Sequence, residues 1–190
     1  MTRISRGGQI RRAGGLAVVL LFVPILAVVT LAANRGQATL ADARSATANF
    51  HNFDAATAAG YTARVADLAG ITCIASSAGT MGVHYLNPAL APELFDANAV
   101  PSLDAERPEL LVYEPESSGK LQLVALEYLT LKAPWDATHT SAPSLFGRRF
   151  DETGANNRYG LPAFYSLHAW IWKNNPSDIF AQYNTKVSCP

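Results

Sequence analysis

Four side chains able to do chemistry sit where such groups are rare. His84 lies in Met-Gly-Val-His-Tyr-Leu and Glu127 in Val-Ala-Leu-Glu-Tyr-Leu. His168 lies in Tyr-Ser-Leu-His-Ala-Trp-Ile-Trp, and Glu114 in Leu-Leu-Val-Tyr-Glu-Pro. Each is the one histidine or carboxylate of an apolar stretch. A buried imidazole or carboxylate is costly unless it finds a partner, so several of them on facing surfaces are expected to meet. Two histidines with one or two glutamates make a ligand set for a divalent transition metal such as zinc, manganese, iron or copper. Without a metal the same groups could work as acid and base, with Glu127 raised by its surroundings. No fixed local metal spacing is present. The competing reading is therefore separate structural roles, with Glu127 paired to Arg107, Arg148 or Arg149 and each histidine hydrogen-bonded and inert.

Strand alternation says which residues share a face. Leu121, Leu123, Ala125, Glu127 and Leu129 would form one row. Leu110, Val112 and Glu114 would form a second, and Gly82, His84 and Leu86 a third. If residues 165–174 are extended, Phe164, Ser166, His168, Trp170 and Trp172 form a fourth; a helix would put His168 beside Trp172 instead. Trp170, Trp172 and Tyr85 are candidates to line an apolar pocket for a small ligand, against the plainer reading of an aromatic core. His139 falls in a loop and His51 at a helix boundary. Ser77 and Ser166 lack the strand–turn–helix context of a nucleophile, and Gly79-Thr80-Met81-Gly82 is turn and strand material rather than a phosphate loop.

The elements that must position these residues follow from pattern. Residues 40–60 carry apolar positions at three–four spacing and many alanines, so they are helical. His51-Asn52 marks a break, with Asn52 capping a second short helix and Gly60 ending it. Residues 71–75 and 81–86 pair as strands around Ser76-Ser77-Ala78-Gly79. Residues 110–114 and 121–131 form a hairpin. Residues 132–162 are long, irregular and rich in Pro and Gly. Residues 177–183 read as a short helix that Ser177 could cap. The fold class is α+β: an N-terminal helical segment, a mainly antiparallel sheet of about five strands curled into a partial barrel, and a short C-terminal helix.

Arg3, Arg6, Arg11 and Arg12 precede an uncharged apolar run over residues 13–33. That is the pattern of a signal peptide, or of an N-terminal membrane anchor if it is retained. Either way the arginines stay cytoplasmic and the remainder is exported, so residues 1–33 engage the membrane. Residues 34–39 are a linker and 40–190 a single exported domain. The whole chain has zero net charge, and setting the leader aside leaves acids in excess. No basic patch remains, which argues against nucleic acid as a partner. Cys73 and Cys189, an even pair in an oxidising compartment, are expected to form a disulfide.

Met-Gly-Val-His-Tyr-x-Asn-Pro at 81–88 and Leu-His-x-Trp-x-Trp-Lys-x-Asn-Pro at 167–176 occur with Phe-His-Asn-Phe-Asp at 50–54 and Arg-Pro-Glu-Leu-Leu-Val-Tyr-Glu-Pro at 107–115. This order resembles a group of uncharacterised exported bacterial proteins over most of the exported part. The resemblance implies export and a single domain, and it carries no activity. Two functions stay open: an exported protein binding a metal or small ligand through His84, Glu127 and His168, with an enzyme using Glu127 as base as its special case, or a non-catalytic cell-envelope module.

Overall fold

The computed structural model describes Met1 and residues 38–190. The leader expected over 1–33, and most of the linker, lie outside the described residues. Among the described residues no helix is long and apolar enough to cross a membrane.

The helical segment starts at a reciprocal cap. Thr39 Oγ1 accepts from the Asp42 amide, and the Asp42 carboxylate accepts from the Thr39 amide at 2.9 Å. Two otherwise orphaned donors are thereby satisfied. Helix α1 (Leu40–Thr47) tightens into a 3₁₀ turn at Ala48–His51. Asn52 then accepts from the Asp54 amide and opens α2 (Phe53–Ala58). Gly60, at φ +101°, ends it in a conformation that glycine tolerates.

The sheet has seven antiparallel strands. These are β1 (Ala63–Arg64), β2 (Cys73–Ser76), β3 (Gly79–Leu86), β4 (Leu110–Pro115), β5 (Leu121–Leu131), β8 (Asp151–Thr153) and β9 (Phe164–Ala169). Their order is β1-β3-β4-β5-β9-β8, with β2 also on β3. The class is α+β, and the sheet is not closed into a barrel. The long irregular segment is more ordered than its composition suggested. It holds α3 (Lys132–Asp136), a small ribbon of β6 (Ser144–Leu145) with β7 (Arg148–Arg149), and β8.

The expected C-terminal helix over 177–183 is not formed. Those residues make turns, because their polar groups are used on the sheet. The Ile179 carbonyl accepts from the Trp170 amide and the Ala181 carbonyl from the Trp170 indole. Asn184 bridges to Thr80 in both directions. Ser177 caps nothing; its amide is taken by the Asn175 side chain. The tail ends in the disulfide Cys73–Cys189, spanning 116 residues.

The two faces of the sheet differ. One packs on the helices, joining Leu111, Tyr113, Leu126, Tyr128 and Leu167 to Ala43 and Ala56. The other carries Leu110, Leu129 and Phe164 at one end, and Val112, Val124, Ala125, Trp170 and Val187 at the other. A bulge decides which residues of β5 face which way. Pairing passes from Val112↔Ala125 to Tyr113↔Leu123, leaving Val124 as the extra residue. A one-residue insertion exchanges the faces of everything beyond it. Leu121 and Leu123 therefore pack on the helix face and do not share a row with Glu127, as plain alternation had suggested.

Gly82, two residues before His84, has φ +102°, and a Cβ built there would come within 2.6 Å of the Tyr113 carbonyl oxygen. Gly82→Ala is expected to cost about 3 kcal/mol or more. A thermal melt checks this, with a fall in Tm of roughly 6–12 °C expected.

Candidate metal centre

Strand pairing brings the candidate residues together. Glu127 on β5 lies directly across from His168 on β9. On its other side Glu127 faces Leu110 of β4, which in turn faces Leu86 of β3. His84, two residues from Leu86, projects from the same face and reaches across β4. The three meet: His84 Nε2 is 3.3 Å from His168 Nε2 and 3.4 Å from Glu127 Oε2, and His168 Nε2 is 3.8 Å from that oxygen. All three residues are buried, and each offers a ligand atom within one small group.

These separations have a chemical meaning. A point equidistant from three atoms so spaced lies about 2.0 Å from each, the length of a zinc bond to imidazole or carboxylate. Two ligands of a tetrahedral zinc at such lengths stand about 3.3–3.4 Å apart; the two edges at His84 have that length, and the 3.8 Å edge between His168 and Glu127 must close by about 0.4 Å for an ion to sit above the plane of the three.

Electrostatics point the same way. Burial pushes the Glu127 carboxyl up to about 8, against a hydrogen bond from Ser166 that favours the carboxylate. Burial takes His84 down to about 4, against the Gly82 backbone. His168 lies well below the ordinary range, through burial first and the nearby His84 second. Without a cation the low-polarity surroundings keep all three groups neutral. A divalent cation reverses this by stabilising the carboxylate and using the imidazole lone pairs.

Ser166 and Gly82 do what partners behind a metal ligand do. Ser166 sits two residues before His168 on the same face and steadies the Glu127 carboxylate. The backbone of Gly82 acts on His84 in the direction of protonation, as a carbonyl accepting from the ring does.

Glu114, the fourth candidate ligand, is placed elsewhere. Its carboxylate pairs with the Lys173 ammonium and accepts from the Ser188 amide and hydroxyl at 3.0 and 3.2 Å. It anchors the tail. Glu114→Gln is expected to leave metal affinity within about twofold while costing about 1–3 kcal/mol of stability; a chelator competition alongside a melt measures both. The arginines proposed as partners of Glu127 do not reach it among the described ion pairs, where Arg148 instead lies 3.9 Å from Asp178.

Of the three aromatic candidates, Trp170 and Trp172 line one surface pocket with Leu40, Arg44 and Ile179, away from the cluster, and Tyr85 stands apart from them. Tyr85 is on the helix face, 4.6 Å from Phe53 between ring centroids. Trp170 lies flat alongside His168 at 6.0 Å and packs in the Val112–Val124 patch. Trp172 lies beyond the end of β9, under the Arg44 guanidinium and edge-on to His51. The cavity at the cluster is a different one, of about 280 Å³, with His84 and Glu127 in its wall. Leu86, Leu110, Leu129 and Phe164 of the sheet enclose it, together with Ala63–Ala66, Leu94, Phe95, Tyr159 and Leu161 from surrounding segments. Among the latter, Ala63 and Arg64 belong to β1, and the others lie outside the strands, where no periodicity marks them in the sequence. Two more buried carboxyl groups escaped notice. Glu93 accepts from the Thr130 hydroxyl and Glu109 from the Leu129 amide, and both lie outside the cluster.

No family model, curated protein or solved structure matches the chain.

Proposed function

We propose that this is an exported metal-binding protein that holds one zinc ion through His84, Glu127 and His168 at the floor of an apolar cavity. The observation that carries this reading is the triangle of 3.3, 3.4 and 3.8 Å between the three ligand atoms. Six-coordinate iron or manganese would draw neighbouring ligands closer, to about 3 Å. Two histidines and a glutamate also leave zinc one position short of four, the arrangement of zinc sites that bind or transform a small molecule. Export accords with the disulfide, which persists in oxidising compartments, and with the basic, then apolar, leader. The resemblance to exported bacterial proteins points to the same compartment.

Metal analysis of the purified full-length chain, with its disulfide intact, tests the reading. One equivalent of zinc should survive gel filtration and leave with a strong chelator. Its return should raise Tm by roughly 5–11 °C at a hundredfold excess over Kd. Folded protein that takes up no zinc would sink the proposal and favour the cell-envelope module with structural polar residues.

A further inference from the structure

The cavity beside the cluster has one polar end. His84 and Glu127 form it, while Leu86, Leu94, Leu110, Leu129, Leu161 and Phe164 make most of the remaining wall. Tyr159 also borders it, but its hydroxyl is turned to the Met81 sulfur at 3.8 Å. A ligand that fills this space must therefore be polar at one end and apolar along its body. At about 280 Å³ the cavity sits just under the roughly 300–1,000 Å³ of pockets for drug-sized ligands, so the ligand is small.

Charge narrows the class. A zinc ion and one carboxylate leave a single positive charge in apolar surroundings, which is costly unless neutralised. A monoanion cancels it, a neutral ligand leaves it, and a dianion reverses it. Arg64 lines the mouth, with its guanidinium on the Thr72 hydroxyl, and favours an approaching anion. The wall includes an apolar side chain open to solvent: Phe95 is 67% exposed. Such a side chain shelters the tail of an amphipathic ligand as it enters.

We infer that the cavity takes the aliphatic tail of a small monocarboxylate whose carboxylate binds the metal at its remaining position; this rests on the zinc reading above. The tail lies among the leucines, and the headgroup completes four-coordination beside His84 and Glu127.

Cobalt in place of zinc in the full-length protein gives a visible spectrum that reports the ligands on the metal. Octanoate should change that spectrum saturably. Affinity should rise about fourfold for each methylene from butyrate through hexanoate to octanoate. Octan-1-ol should bind at least tenfold more weakly than octanoate. Leu161→Trp, which narrows the cavity from a half-buried wall position, should weaken octanoate at least tenfold with metal content unchanged. The chain-length series needs no variant and stands even if that one misfolds. Equal affinity for metal-free protein, an unchanged spectrum on binding, or a flat chain-length series would each overturn the inference. Protein that holds cobalt and ignores octanoate overturns this inference alone. Folded protein that holds neither cobalt nor zinc overturns the metal reading and the inference with it.

Discussion

His84→Ala and His168→Ala should each weaken zinc binding at least a hundredfold in the otherwise folded protein. Loss of a group that merely orients a ligand costs about ten- to a hundredfold, and loss of the ligand itself costs more. The two effects should be similar although the residues lie 84 positions apart on strands separated by β4 and β5. Glu127→Gln keeps the shape and removes the charge, so it should fall with them. In the metal-free state each histidine is neutral and packed, and its removal is an ordinary core truncation. Comparing the variants with and without zinc separates the two roles: the rise in Tm on adding zinc should vanish in all three. A histidine variant that keeps wild-type affinity in a chelator competition would remove that residue from the site.

The second large effect concerns the staple. The double change Cys73→Ser and Cys189→Ser should cost about 2–5 kcal/mol, because a cross-link over so long a loop restricts the unfolded chain strongly. That corresponds to a drop in Tm of roughly 4–20 °C for a domain of this size, measured in the oxidised protein against the variant. The damage should also be directional. Val187 of the tail packs with Val112, Val124, Ala125 and Trp170, and Glu114 holds Ser188. A released tail uncovers this end of the site face, including the indole beside His168, before it disturbs the helix face. Tryptophan emission should therefore shift at a lower temperature than the far-ultraviolet signal in the variant, and together with it in the wild type.

The parts of this arrangement legible in the sequence were those set by local pattern. The capping role of Asn52, the hairpin over 110–131 and the three lone polar groups on apolar rows needed only periodicity and residue type. The cost of burying them apart made convergence one of two readings, and the pairing of β3, β4, β5 and β9 brings them together. What escaped was set by distant partners. The Val124 bulge leaves no mark in an apolar run, so Leu121 and Leu123 could not be assigned to the opposite face. Residues 177–183 have helix-compatible composition, but the backbone of Trp170 and its indole claim their carbonyls. Glu114 looked like Glu127 in its row, and only the arrival of Lys173 and Ser188 gives it a structural task. Part of the cavity wall, Val65, Ala66, Phe95, Tyr159 and Leu161, lies outside the strands, where apolar residues carry no period.

The position of the second cysteine bears on how the protein matures. Cys189 lies 116 residues after Cys73, and the three cluster residues come from β3, β5 and β9. The staple cannot close before Cys189 has been made, nor the cluster before His168 has. Any ion that the cluster takes is therefore drawn from the surroundings the chain has reached by the time β9 pairs with β5. Metal choice then depends on geography as well as on ligand chemistry.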